Sequence, residues 1–355
     1  MKKNTNKKNN NKSIFFDIKS ILKYDCLINM IYGTRGIGKT YSALKYALEN
    51  FKETKMATIY LRRYKDELSG FNTDASKNIL RPLILNELVN ENDLKFKTRK
   101  DIHYIIDKKS DKAILIGLPL SKAVILKSND FSDVNFVIFD EFIIDKSNYN
   151  YIPDEFKSFI NMIETITRMR ETTQGVITPV VMLANSASRN NPYFLNFDIP
   201  ITDDNPYIDD DLLVYRPEPK EFVEEKEKTR WGKFIKKHTK LTKYLFDGEF
   251  SNNTYFIYDK LPSKTKYIAT LVYLNKKIGV YMDSQFDEMF ISDKVNKDFK
   301  IIFSLTKEDR TPDILQIKNC QKIIDTIKIK NEKGKLKFAN YNLQILFTEI
   351  LNIFK

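Results

Sequence analysis

The sequence predicts an α/β protein in which a mostly parallel sheet, covered on both faces, is followed by a smaller α+β domain. Three observations lead there. Apolar runs without alternation, at 27–32, 57–61, 134–139 and 180–184, are separated by stretches of helical periodicity, as in buried parallel strands linked by helices. A glycine-rich turn stands between the first run and the first helix. After about residue 200 the strands alternate better between apolar and polar positions, the pattern of half-buried strands.

Taken in order, residues 1–13 form a Lys/Asn-rich basic tail that cannot bury apolar surface and is expected to be disordered. Residues 14–212 are expected to form the first domain. Its elements are a strand at 27–32 (LINMIY), a helix at 40–51 and a strand at 57–61 ending at Arg62 and Arg63. Residues 71–94 read as largely helical, and 103–106 with 113–118 as a hairpin around the polar turn DKKSDK. A buried strand at 134–139 ends in Asp140-Glu141, a helix fits 154–170, and a strand at 180–184 leads to Asn185. Residues 213–250 are highly charged and suit a linker or small helical subdomain. Residues 251–355 form the second domain. Strands are expected at 254–258, 267–274, 277–283, 286–291 and 299–305, with a hairpin turn at Asn275-Lys276-Lys277 and helices near 312–328 and 341–354.

Composition narrows the function classes. The chain has 355 residues, 42% hydrophobic and 30% charged, enough to bury cores in two domains. Cys26, Cys320, His103 and His238 are too few for a Cys/His zinc set or a disulfide framework, and a reducing intracellular setting is expected. No apolar stretch is long enough to span a membrane. The net charge of +12 is unevenly placed: the tail, residues 213–250 and the C-terminal domain carry the excess, while residues 13–212 sum to −2. Basic ends of this kind can meet phosphate backbones through counterion release.

Gly33-Thr34-Arg35-Gly36-Ile37-Gly38-Lys39-Thr40 matches G-x-x-x-x-G-K-[ST]. Glycines let the backbone curl so that its N–H groups point at phosphate oxygens, and the helix that follows adds its positive dipole end. Lys39 supplies a point charge to the β- and γ-phosphates, and the Thr40 hydroxyl can coordinate Mg²⁺. Glycine is scarce, yet three of the ten glycines fall in this octet. Asp140, at the C-terminal end of its strand, suits a Mg²⁺ ligand, and the adjacent Glu141 can orient and deprotonate water. Asn185 could sense the γ-phosphate. Arg168 and Arg170 are candidates for a trans-acting finger, whose planar fork stabilises phosphoryl charge. Arg62 and Arg63 could couple nucleotide state to a moving part. ATP and Mg²⁺ are the implied ligands.

The segments GTRGIGKT, YLRRYKDEL (60–68), VNFVIFDEF (134–142), SNYNYIPDEF (147–156) and NPYF (191–194) resemble the phi29-like bacteriophage DNA-packaging ATPases. The resemblance is collinear through about residue 200 and continues weakly through KTRWG (228–232). It implies a terminase-like P-loop motor of the ASCE class that drives double-stranded DNA into a preformed procapsid. The motor would be a homomeric ring, typically of five subunits, acting in the host cytoplasm at the portal vertex with a structural packaging RNA. It places Lys39 and Thr40 in Walker A, Asp140 as the Walker B metal ligand and Glu141 as the catalytic glutamate. Arg168 falls at the arginine finger, Asn185 at the sensor and Lys127 at a basic position acting across subunits.

The C-terminal domain resembles the family's RNase H-like fold. A nuclease on that fold needs carboxylates clustered around two metals. The strand YIATLVYL (267–274) has no acid, and Asp283 and Asp287 do not complete a set, so a non-catalytic domain binding RNA, DNA or the portal is expected. DNA contacts should be to phosphates, with Lys95, Lys97, Arg99, Lys100, Lys108 and Lys109 as unranked candidates. Two other readings fit the same residues: a P-loop helicase or conjugative-type DNA pump, and a nucleotide-switched scaffold binding RNA and portal.

Overall fold

The computed structural model describes residues 14–351 except 72–77, 128, 145–150, 186–190, 201–203, 239–256, 259, 274–275, 307–308, 313, 317–320, 341–342, 345 and 348–349. The expected disordered tail, residues 147–150 of the SNYNYIPDEF segment and Asn275 of the expected hairpin turn lie outside the described residues. The chain divides into two compact units, residues 1–188 with 200–250, and residues 189–199 with 251–355.

The first unit is built in chain order from α1 (Lys19–Leu22), β1 (Ile28–Ile31), α2 (Lys39–Thr54), β2 (Ala57–Arg62), α3 (Arg81–Leu85), β3 (Leu94–Arg99), β4 (Ile102–Asp107), β5 (Lys112–Pro119), α4 (Ala123–Leu126), β6 (Val134–Asp140), α5 (Glu155–Thr167), α6 (Arg170–Gln174) and β7 (Val180–Leu183). The short α7 (Pro192–Asn196) belongs to the second unit, and the first resumes with β8 (Tyr207–Asp209), β9 (Leu212–Tyr215), α8 (Lys220–Lys228) and α9 (Arg230–His238). Nine strands make one sheet in the order β3-β4-β5-β2-β6-β7-β1-β9-β8. The six from β5 to β9 in that order are parallel, and antiparallel pairs finish both edges. One strand, β7, lies between the strand that feeds the phosphate loop and the strand that ends in Asp140. That additional strand is the arrangement the ASCE reading requires.

The central strands are apolar at most positions because both faces are covered, with Asn29, Thr58 and Asn135 as the polar residues inside them. On one face Ala43, Leu44, Ala47, Leu48 and Phe51 of α2 pack with Tyr60, Phe136, Ile138, Val181 and Leu183. On the other, Phe159 of α5 stacks on Phe139, 5.7 Å between ring centres.

Several expectations are corrected. Residues 71–94 are not largely helical: among the described residues only α3 and a short 3₁₀ turn at Glu91–Asp93 are. The strand β3, at Leu94–Arg99, went unread because half its residues are basic. The helix expected at 154–170 breaks at Arg168 and Met169, both left-handed. The domain boundary expected at 212 falls inside the sheet, since β9 pairs with β1 from Ile28↔Leu212 to Ile31↔Tyr215. The charged residues after it form α8 and α9, within the first compact unit.

The second unit carries β10 (Lys266–Tyr273), β11 (Lys276–Asp283), β12 (Glu288–Ser292), β13 (Ile302–Ser304), β14 (Leu315–Gln316), α10 (Gln321–Glu332) and β15 (Leu336–Phe338). The helix expected from 312 is replaced at its start by β14. β10, β11 and β12 form an antiparallel meander, and β13 and β14 add in parallel beside β10. This is the RNase H-like strand order, with β15 appended in parallel to β12. Its core joins Leu271, Val280 and Ile291 to Ile324 and Ile327 of α10 and to Leu346, Phe347 and Ile350. The two acids singled out serve local structure. Asp283 accepts from the N–H groups of Gln285 and Phe286. Asp287 pairs with Lys330 and, at 3.0 Å, with Lys335, which together hold its carboxyl down at about 2.

Candidate active site

The site forms where β1 and β6 end and α2 begins. Gly33, Gly36 and Gly38 have φ of 92°, 89° and 89°, a left-handed region that a side chain would strain. Ile37 between them is fully buried and anchors the loop to the core. The loop then opens directly into the sixteen residues of α2, so the helix dipole and its free N–H groups face the same space.

Lys39 is 4% exposed and donates to the carbonyls of Gly33 and Thr34, both at 2.7 Å. Burial lowers its ammonium to about 7, against the opposing pull of Asp140. The Thr40 hydroxyl donates to the Asp140 carboxylate at 3.0 and 3.2 Å, tying the first turn of α2 to the end of β6. The Tyr60 hydroxyl donates to the same carboxylate at 2.6 Å, and burial with the nearby Asp140 charge keeps that phenol protonated far above its usual range.

Glu141 follows with φ 59°, which turns its half-exposed side chain away from the strand line. Arg62 meets it at 2.7 Å and also reaches Glu67 at 3.2 Å and Asp140 at 3.9 Å. Burial opposes the Arg62 charge, but the Glu141, Asp140 and Glu67 carboxylates outweigh it and hold the guanidinium protonated. Arg63 turns the other way. It forms a fully buried pair with Glu155, donates to the Glu141 and Phe142 carbonyls at 3.1 and 2.8 Å, and lies over the Tyr151 ring at 5.1 Å. It therefore fixes the backbone that carries Glu141. Asn185 sits just past β7, whose next residue, Ala184, donates to Ile31 at 2.9 Å, so it lies at the same end of the sheet.

Arg168 and Arg170 are elsewhere. Arg170 is buried and donates to the carbonyls of Ser132 and Val134 and to Thr178, at the opposite end of β6 and β7. Arg168 is exposed beside it, its guanidinium on the carbonyl of Lys127. The seven residues of β6 separate this end from Asp140, roughly 20 Å at about 3.3 Å per residue.

A cover over the loop was not read from the sequence. The Arg216 side chain lies against Gly33, Phe222 of α8 against Gly36 and Phe15 against Gly38, with Phe15 and Phe222 in ring contact at 5.9 Å. Lys226 donates to the carbonyl of Arg35 at 3.3 Å. Tyr60 carries no sequence signal of its own, although it stands two residues before Arg62 on β2, within a strand that the sequence predicts.

Comparison with known proteins agrees with this geometry. The family described as podovirus DNA encapsidation protein (Gp16) matches residues 10–353. The DNA packaging proteins of Bacillus phages PZA and phi29 are each 30% identical over 345 residues, 96% of this chain and 97% of the relative. Among solved structures, the bacteriophage Phi-29 viral genome packaging motor assembly is 27% identical with a TM-score of 0.70, covering 97% of this chain and 100% of that one. The Phi-28 gp11 DNA packaging motor, 21% identical over 96% of this chain and 98% of its own, shares the fold with a TM-score of 0.67. The chain belongs to the podovirus DNA encapsidation protein (Gp16) family and is a DNA-packaging ATPase.

Proposed function

We propose that the residues gathered at the ends of β1, β2, β6 and β7 hydrolyse ATP, with Glu141 orienting and deprotonating the attacking water. The observation that carries this reading is the Thr40–Asp140 contact at 3.0 Å with Glu141 the next residue. It joins the phosphate loop to the acid pair in one place. The loop N–H groups and Lys39 hold the phosphates, and Asn185 faces the γ-phosphate from β7. The Thr40 hydroxyl and the Asp140 carboxylate are hard oxygen donors that fit Mg²⁺, a cation that takes few protein ligands. When bound there it would neutralise charge on the phosphate oxygens.

Glu141 is engaged by Arg62 in this conformation, so the carboxylate must leave that pair to accept a proton from water. Arg62 lies on β2, which makes this exchange a route from nucleotide state to the rest of the sheet. Arg168, roughly 20 Å from its own Asp140, acts on the nucleotide of another subunit. Arg170 does not share that role, because its guanidinium is committed to the strand ends.

The working form is a homomeric ring, five-membered by resemblance to the family, at the portal vertex of the procapsid in the infected host. A structural RNA is its further partner. The similarity to a viral genome packaging motor assembly supports the oligomer. Among the described residues no helix is long and apolar enough to cross a membrane.

Glu141→Gln tests the chemistry. Turnover should fall by about a hundredfold or more, the size of a missing general base, while binding of an ATP analogue survives. Sustained turnover by the variant sinks the assignment.

A further inference from the structure

We infer that the outward row Lys95, Lys97 and Arg99 on edge strand β3 grips the phosphate backbone of the double-stranded DNA that the motor moves. The inference rests on the DNA-translocating reading above and adds the surface that holds the cargo.

Strand alternation sorts β3 cleanly. Leu94 is buried and Phe96 packs against the same core, while Lys95, Lys97 and Arg99 take the other face and are exposed. Register with β4 sets Lys95 opposite Ile106, Lys97 opposite Tyr104 and Arg99 opposite Ile102, so none of the directly facing residues is an acid. Lys95 has Asp111 at 3.4 Å, but Lys97, Arg99 and Lys100 make no ion pair among the described residues. Alternate residues stand about 6.8 Å apart on a strand. The row therefore presents an extended line of positive charge to a phosphate backbone.

The opposite edge of the sheet argues in the same direction. Around β8 the exposed Asp209, Asp210 and Asp211 follow one another along the chain. A polyanion is repelled from that edge and accepted at β3. Lys108 of the neighbouring turn is less available, since its ammonium donates to the Asn92 carbonyl at 2.7 Å. This ranks the row above the turn.

Charged edge strands also keep sheets from pairing edge to edge, and the experiment separates the two roles. Binding of a fluorescent duplex by the full chain with an ATP analogue is measured across a salt series. Unmodified protein is compared with Lys95→Gln/Lys97→Gln/Arg99→Gln, and with Lys233→Gln/Lys236→Gln/Lys237→Gln on α9, which removes equal charge elsewhere. Each neutralised phosphate adds ~0.9 to the slope of log K against log salt, so we expect that slope to flatten by about 2.7 in the β3 variant. The α9 variant should keep most of its slope. Lys97→Gln alone, an exposed single change, should flatten the slope by about 0.9 even if the triple variant folds poorly. An unchanged slope with duplex binding retained overturns the inference alone, as does equal flattening in both triple variants or a weakening confined to single-stranded RNA. Failure of the unmodified protein to bind duplex at all overturns the translocation reading, and this inference with it.

Discussion

Lys39 is held at about 7 by burial, so near neutral pH a good share of the molecules carry a neutral amine in the loop. Phosphate oxygens favour the ammonium, so nucleotide binding raises this value and takes up a proton. The sign is set by that direction: uptake is large above the nucleotide-free value and vanishes below it. At pH 8 about 0.9 proton should be absorbed per ATP bound, and at pH 6 close to none. Calorimetric titration in two buffers of different ionisation enthalpy measures the uptake directly. No buffer dependence at pH 8 would show that Lys39 stays charged without nucleotide. That Lys39, Thr40, Asp140 and Glu141 belong to one place was legible from residue type and spacing, because the chemistry of a phosphate loop restricts both. The pairing of Arg62 with Glu141 and of Arg63 with Glu155 was not. Adjacent arginines at a strand end point to opposite sides, and only the sheet decides which acids each one meets.

At the scale of elements, α8 and α9 carry the main departure from the sequence reading. Their high charge suggested a linker, yet α8 lies on the phosphate loop and α9 packs back on α8. Gly232 explains how two such polar helices pack. A Cβ there would lie 2.1 Å from the Lys226 carbonyl and 2.9 Å from the Glu227 Cα, so only glycine permits the approach. The expected cost of Gly232→Ala is about 1–3 kcal/mol, the range for an overpacked contact. Hydrogen exchange should show the destabilisation confined to α8 and α9, with β1 and β6 still protected. Exchange that stays slow in both helices would mean that the two helices stand far enough apart to admit a methyl group. The central strands were readable because two-sided burial leaves uninterrupted apolar runs. The edges were not: β3 is half basic, and β8 and β9 are three and four residues long beside a block of aspartates. The break after α5 has no local signal either. Tertiary contacts impose it, since Arg168 is drawn onto the Lys127 carbonyl at the end of α4 and Arg170 onto the Ser132 carbonyl just before β6.

At the scale of the whole molecule, the placement of Arg168 bears on the proposal that the site is shared between subunits. Each subunit holds its phosphate loop and acid pair at one end of the sheet and Arg168 at the other. No side-chain motion spans a gap of roughly 20 Å. If Arg168 completes a site, the site belongs to a second copy. Specific ATPase activity should therefore rise with protein concentration until the oligomer is complete. Arg168→Ala should lower saturated turnover by about a thousandfold or more, the scale of an arginine finger. Mixing is the sharper test. Arg168→Ala leaves Glu141 intact, and Glu141→Gln leaves Arg168 intact. In a mixed ring some interfaces pair the intact arginine of one subunit with the intact glutamate of the next. Those interfaces should regain activity that neither variant shows alone, and the gain should peak near equal proportions. An arginine acting within its own subunit would give no gain at any ratio, because every subunit in the mixture would still lack one of the two groups.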